Sequence, residues 1–116
     1  MALAPETLFH ALSDPTRLRV LMLLSAEKEL CVCELTHALR LSQPMISRHL
    51  AQLRAVGLVS DRRAGVWIHY RLHPELPTWA CRVLADAFAG IARNEPYRAD
   101  QRLLRGMRDR PSSRCA

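Results

Sequence analysis

No stretch of this sequence approaches the roughly 20 consecutive apolar residues that a membrane-spanning helix requires. The opening segment MALAPETLFHAL lacks the basic region and the cleavage pattern of a secretory signal peptide. We therefore expect a cytoplasmic protein without a membrane partner. The chain also has no internal repeat, so its 116 residues predict one small domain, and the 49% apolar content is sufficient for a folded core.

Patterns that would indicate an enzyme are missing as well. Neither a loop that cradles a phosphate nor a nucleophile–base pair accompanies the closely spaced cysteines. None of the five histidines is paired with another at i, i+4 on a predicted helix; they are His10, His37, His49, His69 and His73. We therefore predict a protein that is not an enzyme and requires no cofactor, and a thiol enzyme such as a reductase is the weakest alternative.

Four cysteines are present in a chain expected to lie in a reducing compartment, where structural disulfides are rare. Such cysteines favour metal, metalloid or redox chemistry over scaffolding. Cys31 and Cys33 are the candidate ligands, and the alternative is that both are buried thiols without a ligand. Cys115 is a candidate third ligand. Cys81 is a weaker candidate, because it flanks an apolar helical stripe and is expected to be an inert packed thiol.

Residues 30–59 predict two short helices separated by a tight turn. Apolar residues recur at helical spacing in both helices: Leu35, Ala38 and Leu39 in the first, and Ile46, Leu50 and Leu53 in the second. Ser42 occupies the N-cap position of the second helix, Pro44 lies in its first turn, and Gly57 marks its end. Two short helices of this kind, the second with a polar outer face, are typical of a helix-turn-helix.

The basic residues coincide with this motif. Residues 40–71 contain six arginines and one aspartate, which is the distribution that phosphate binding requires. The alternative is a solvated basic surface without a partner. The residues predicted to meet the edges of the bases or the backbone of double-stranded operator DNA are Ser42, Gln43, Ser47, Arg48, His49 and Gln52. In the alternative interpretation, Ser42 only caps the helix, and His49 is only a hydrogen-bonded polar residue.

The segments on either side complete a mainly α-helical fold with a β-hairpin wing. Helices are predicted over residues 4–12 and over residues 78–93. Between them, another helix is predicted to begin at Pro15, with Asp14 as its N-cap. Strands over 58–63 and 66–72, joined at Ala64-Gly65, predict the wing, with Val66, Ile68, Tyr70 and Leu72 on its core side. Arg62 and Arg63 in this wing are expected to contact phosphates or the minor groove.

The last predicted helix is apolar over a wide arc. The rest of so small a monomer is not large enough to cover such a helix. We therefore predict a homodimer in which the last helix and the first helix contact a second copy of the chain. The alternative is that the helix packs only on its own core. We therefore divide the chain into a winged helix-turn-helix domain, residues 1–95, and a basic, flexible C-terminal tail, residues 96–116.

Four segments together resemble the ArsR/SmtB repressors, and the arsenic-responsive ArsR branch in particular: ALSDPTRLRVLMLL, ELCVCEL, LSQPMISRHLAQLRAVGLV and GVWIHYRL. The resemblance covers about residues 5–92. It implies a homodimeric winged-helix repressor of an arsenic-resistance operon, which leaves its operator when trivalent arsenic or antimony binds. Some relatives bind zinc at the last helix, but here that helix carries Asp86 and no histidine, which argues against a zinc sensor. Many relatives have a third cysteine at the position of Thr36.

Trivalent arsenic is soft and prefers thiolates, and a thiol near a helix start, such as that of Cys33, loses its proton more easily. Side chains two residues apart on a helix diverge by about 200°, so a bound ion is expected to favour an unwound helix entry.

Because Thr36 supplies no sulfur, we expect a two-thiolate site at which methylarsenite acts at least as well as arsenite. Completion of the site by Cys115 or Cys81 is the alternative. The alternative function is a thiol redox-sensing winged-helix repressor.

Overall fold

The computed structural model describes residues 2–108 and residue 110. In chain order, the elements are α1 (Pro5–Leu12), α2 (Pro15–Ala26), β1 (Leu30–Cys31), α3 (Val32–Leu39), α4 (Gln43–Ala55), β2 (Val59–Ala64), β3 (Trp67–Leu72), α5 (Thr78–Ile91) and α6 (Tyr97–Arg105). This architecture confirms the prediction of a mainly α-helical fold with a hairpin wing. No helix among the described residues has the length and apolar character needed to cross a bilayer.

The predicted helix boundaries rest on local hydrogen bonds that the structure contains. The side chain of Asp14 accepts the backbone N–H of Arg17 at 2.9 Å, which caps α2. Ser42 Oγ accepts the backbone N–H of Met45 at 3.4 Å and caps α4 in the same way. Gly57, with φ +82°, ends α4 in the left-handed conformation that glycine adopts without strain.

Helix α2 lies at the centre of the molecule and is surrounded by the other helices and by β3. Five consecutive residues of it are buried: Val20, Leu21, Met22, Leu23 and Leu24. These residues are buried on all sides because the other helices and β3 pack around this part of α2.

The wing belongs to a three-stranded antiparallel sheet with the order β1-β3-β2. The predicted alternation along β3 is wrong at two positions. Val66 is 89% exposed, because it lies with Gly65 in the turn and not on the core side of the strand. His69 is fully buried, because it pairs with Cys31 of β1, a strand that the sequence analysis did not predict.

Helix α6 corrects the prediction of a flexible tail from residue 96. Residues 97–105 form a helix that packs on α2 and α3 and buries Leu104. Asp100 is also buried, and its carboxylate accepts two hydrogen bonds from Arg19, with Nε at 2.9 Å and Nη2 at 2.7 Å. The sequence analysis assigned this segment to the tail because it is rich in arginine. It could not show the contact with Arg19, which lies far from Asp100 in the chain.

Candidate DNA-binding surface and thiol site

Helix α4 presents polar side chains to solvent on the side opposite its buried residues. Ile46, Leu50 and Leu53 face the core, while Gln43, Arg48 and Gln52 are exposed. Gln43 Nε2 donates a hydrogen bond to Ser47 Oγ at 3.0 Å, so these two side chains are neighbours one turn apart. The helix-turn-helix geometry therefore exposes three of the side chains that the sequence pattern assigned to base recognition: Gln43, Arg48 and Gln52.

Two of the predicted DNA contacts are engaged within the protein. The side chain of His49 is half-buried, and burial lowers its pKa, with Asp14 and Arg17 as its charged neighbours. Its Nδ1 atom is buried and has no hydrogen-bond partner among the described residues. Gln52 Oε1 accepts a hydrogen bond from Arg17 Nη1 at 3.2 Å. His49 thus lies near the start of α2, but within the part of the chain that the structure describes its Nδ1 lacks the hydrogen bond that the alternative of a hydrogen-bonded polar residue requires. The hydrogen bond between Arg17 and Gln52 links the start of α2 to α4.

Arg62 and Arg63, the predicted wing contacts, have different surroundings. Arg62 forms a two-pronged ion pair with Glu29, with N–O distances of 2.6 and 2.8 Å, and this hydrogen bonding lowers the pKa of the Glu29 carboxyl. Arg63 is exposed on the neighbouring position of β2. Because the guanidinium group of Arg62 already binds Glu29, Arg63 is the better placed of the two to bind a phosphate.

Cys31 and Cys33 lie on either side of the start of α3. Cys31 is the last residue of β1 and the N-cap of α3, with extended backbone angles, and Cys33 lies in the first turn. Their Cα atoms are 5.5 Å apart, and their Sγ atoms are in direct contact, as in a disulfide. The two sulfurs meet without unwinding of α3, because only Cys33 is inside the helix; that a bound ion favours an unwound helix entry stays a prediction.

A buried carboxylate holds this helix start in place. Glu34 is fully buried, and its Oε1 accepts the backbone N–H of Cys31 at 2.9 Å. Its Oε2 accepts a hydrogen bond from Arg110 Nε at 2.6 Å, while Arg110 Nη2 contacts Glu27 at 2.7 Å. The sequence analysis missed Glu34 and Arg110, although a glutamate three residues after an N-cap position is a recognisable capping signal.

An open groove of about 300 Å³ lies beside the two cysteines. It is lined by Cys31, Val32, Cys33 and Thr36, by Gln43 from the start of α4, and by Val66, Trp67 and Ile68 from the wing. Thr36 Oγ1 donates a hydrogen bond to the Cys33 carbonyl oxygen at 2.9 Å. The groove thus connects the thiol pair with both elements that are expected to bind DNA.

Cys81 is the other cysteine among the described residues, and it does not line this groove. Cys81, on α5, is exposed and not packed as expected, and its Sγ lies 3.7 Å from the Leu76 carbonyl oxygen. Cys115 lies outside the described residues. Within residues 2–108 and 110, no group of three histidine, cysteine, aspartate or glutamate side chains is arranged to hold a metal ion.

A helix-turn-helix with an exposed polar recognition helix and a β-hairpin wing defines the class of winged-helix DNA-binding regulators. The family model described as "Bacterial regulatory protein, arsR family" matches residues 14–61. The chain is 51% identical over 114 residues to the arsenic resistance transcriptional regulator ArsR1 of Pseudomonas putida, with 98% of this chain and 88% of that protein covered. The chain belongs to the ArsR family.

Further relatives agree with this assignment. The arsenical resistance operon repressor of Escherichia coli is 54% identical over 86 residues, which cover 74% of each chain. Among solved structures, HlyU from Vibrio cholerae superimposes with a TM-score of 0.67 at 32% identity, over 75% of this chain and 90% of that one. The antimony-specific transcriptional repressor AntR superimposes with a TM-score of 0.62 at 31% identity, over 72% and 73%. These relatives confirm the predictions of a winged-helix transcriptional regulator and of a protein that is not an enzyme.

Proposed function

We propose that this protein represses an arsenic-resistance operon as a homodimer bound to operator DNA. It dissociates when As(III), Sb(III) or methylarsenite binds the thiolates of Cys31 and Cys33. The observation that carries the proposal is the convergence of both sulfurs at the start of α3, in a groove shared with the recognition helix and the wing. The names of two relatives support the ligand class, since one regulates arsenic resistance and another is specific for antimony.

The chemistry of the pair suits a trivalent metalloid. Thiolates are the preferred ligands of soft ions, and Cys33 lies in the first turn of α3, where the helix dipole stabilises a negative charge. The Thr36 side chain at the usual third-ligand position is a hydroxyl already bonded to the helix backbone. The site therefore supplies two sulfurs, unless Cys115 or, less favourably, Cys81 completes it. The metalloid is the inducer, and no cofactor is required.

Release of DNA follows from the position of the groove. When a trivalent arsenic hydroxide binds the two reduced thiols, two As–S bonds form at the first turn of α3, two As–O bonds break and two water molecules leave. Gln43 and the wing residues Trp67 and Ile68 line the same groove, so a metalloid bound there lies beside the two elements that are expected to bind DNA. A ligand shifts the equilibrium between the DNA-bound and the DNA-free conformation by the difference between its affinities for the two. In this proposal the metalloid binds the DNA-free conformation more tightly.

The test uses single serine variants of the two cysteines. Cys31→Ser and Cys33→Ser should bind operator DNA like the parent protein but lose release by arsenite, because serine replaces the soft ligand with a hard one. DNA retention titrated with arsenite measures the effect, and Cys81→Ser is the matched control that should respond normally. Release of either variant at the arsenite concentration that suffices for the parent protein would contradict the proposal.

A second candidate function is favoured by the sulfur contact itself. Two thiols this close can be oxidised to a disulfide, and a repressor regulated in this way senses oxidants. The two functions are separated by treating the DNA complex of the reduced protein with peroxide or with arsenite. Release by peroxide without release by arsenite would select the redox sensor.

A further inference from the structure

The last residue that the structure describes, Arg110, lies against the start of α3. It follows α6, the helix that packs on α3, and only 15% of its side-chain surface is exposed. Its Nε donates a hydrogen bond to Glu34 Oε2 at 2.6 Å, and its Nη2 donates one to Glu27 Oε1 at 2.7 Å. The guanidinium group therefore joins the end of α2 to α3, and the proposed function assigns this contact no role.

Glu34 extends this contact to the first of the two cysteines. Its side chain is fully buried, and its Oε1 accepts the backbone N–H of Cys31 at 2.9 Å. Cys31 is thereby held as the N-cap of α3 in an extended conformation, with φ −87° and ψ 166°. An extended residue at position 31 followed by a helical residue at position 33 brings the two sulfurs together. Arg110 is thus linked to the geometry of the thiol pair through a buried carboxylate.

We propose that Arg110 is a positioning residue of the thiol site. Through Glu34 it holds the backbone of Cys31 in the conformation in which the sulfurs of Cys31 and Cys33 can bind the same metalloid atom. Neither Arg110 nor Glu34 lines the groove beside the cysteines, so neither is a ligand. The inference rests on the proposed function and adds the segment after α6 to the sensor.

The burial of Glu34 makes this link strong. A carboxylate that is removed from water destabilises the fold unless charged and hydrogen-bonding partners compensate it, and Arg110 supplies both a charge and a hydrogen bond. When the guanidinium group is removed, we expect the carboxylate to turn towards water and to release the N–H of Cys31. Cys31 then has several backbone conformations, and the apparent affinity falls in proportion to the fraction of molecules that keep the binding-competent one.

Calorimetry of arsenite binding to the reduced, full-length protein in the absence of DNA tests the proposal. Arg110→Ala should weaken binding about tenfold, because loss of a residue that orients the ligands without contacting the ion typically costs about 10–100-fold in affinity. Arg110→Lys keeps the charge but loses the forked geometry, so its affinity should lie between those of the parent protein and Arg110→Ala. Arg108→Ala is the matched control, since this arginine is exposed and its loss should leave arsenite binding unchanged.

A double variant separates the role of the charge from that of the hydrogen bond. In Glu34→Gln/Arg110→Ala, the neutral amide needs no guanidinium partner, and its carbonyl oxygen can still accept the N–H of Cys31. The double variant should therefore bind arsenite more tightly than Arg110→Ala and approach the affinity of the parent protein. A double variant as weak as Arg110→Ala would overturn the role of Arg110 through Glu34.

Hydrogen exchange of the Cys31 amide reports on the same contact without any metalloid. NMR should show faster exchange of this N–H in Arg110→Ala, with a rise that parallels the loss of arsenite affinity, while the amides of α2 keep their parent rates. A merely destabilised fold would instead accelerate the α2 amides as well, because these exchange through opening of the whole molecule.

The outcomes distinguish this inference from the function on which it rests. Parent affinity in Arg110→Ala, or equal weakening in Arg108→Ala, would overturn the positioning role and leave the metalloid sensor intact. Faster exchange throughout α2 would overturn it as well, because the effect would then be one of stability. Failure of arsenite to bind the parent protein would overturn the proposed function, and the Cys31 amide would still show whether Arg110 holds the start of α3.

Discussion

Arg48 and Arg63 are both exposed, but they lie on elements with different tasks in DNA binding. Arg48 is on the recognition helix and Arg63 is on the wing. If Arg48 reads a base through both of its guanidinium nitrogens, Arg48→Ala should weaken specific binding by about 1–3 kcal/mol and leave binding to unrelated sequences nearly unchanged.

The matched variant is Arg63→Ala. A phosphate contact carries no sequence information, so this variant should weaken binding to all sequences similarly and flatten its salt dependence. Fluorescence anisotropy on operator and scrambled DNA over a range of salt concentrations measures both effects. Identical behaviour of the two variants on the two DNAs would show that Arg48 does not read a base.

We expect His49 to make the stability of the protein depend on pH. Burial lowers its pKa from the usual value of 6.5, so the folded state resists protonation of this ring more than the unfolded state does. The unfolded chain then binds more protons, and the free energy of unfolding should fall as the pH drops below about 6.5.

Urea unfolding of the parent protein and of His49→Gln between pH 7.5 and 5.5 measures this effect. The variant should lose part of the pH slope, whereas the exposed control His37→Gln should keep it. An unchanged slope in His49→Gln would mean that another group causes the pH dependence.

At the scale of the elements, α6 is held by two kinds of contact. Leu104 is buried against the core, and the ion pair of Asp100 with Arg19 fixes the helix to α2. Leu104→Ala should lower the free energy of unfolding by about 2–5 kcal/mol, because it removes buried methyl groups and leaves a cavity.

Leu103→Ala removes the same atoms from the neighbouring position, where the side chain is only half-buried, and should cost clearly less. Urea denaturation followed by circular dichroism compares the two variants. Equal losses would show that α6 is not packed as described.

The elements also show which features a sequence can predict. Helix caps at Asp14 and Ser42 and the end of α4 at Gly57 were predicted correctly, because each depends on residues within a few positions of one another. The strand β1 and the helix α6 were not predicted. Strand β1 has only two residues and is defined by its pairing with β3, and α6 is stabilised by residues that lie distant in the chain.

The same distinction holds for the candidate site. The spacing of Cys31 and Cys33 marked them as candidate ligands, because the affinity of a thiol for soft ions depends on residue type alone. The groove could not be predicted, because its walls come from α3, the start of α4 and the wing, and only the folded chain brings these together. The contact between Arg110 and Glu34 joins positions from the two halves of the chain and was missed for the same reason.

At the scale of the whole molecule, the prediction of a homodimer depends on apolar side chains that the single chain leaves exposed. Phe9 on α1 is 53% exposed and Trp79 on α5 is 37% exposed. Burial of such residues in a twofold interface would give a particle of twice the 13.2 kDa chain mass, with two recognition helices for a palindromic operator.

Sedimentation equilibrium measures this mass directly. Phe9→Glu and Trp79→Glu should shift the particle towards the single-chain mass, because each places a charge in the interface, while Val56→Glu at another exposed apolar position should not. A single-chain mass for the parent protein at micromolar concentration would contradict the dimer.

The central position of α2 has a consequence for how the molecule can be divided. The amide hydrogens of this helix should be the last to exchange with deuterium, since its opening requires the surrounding helices and β3 to separate from it. The segment shared with the family model, residues 14–61, contains α2, α3 and α4 but not β3, α5 or α6. Excised alone, this segment would expose to water the surfaces of α2 that α1, β3, α5 and α6 cover. We therefore expect DNA recognition and the proposed ligand sensing to depend on one cooperative folding unit and not on modules that can be exchanged separately.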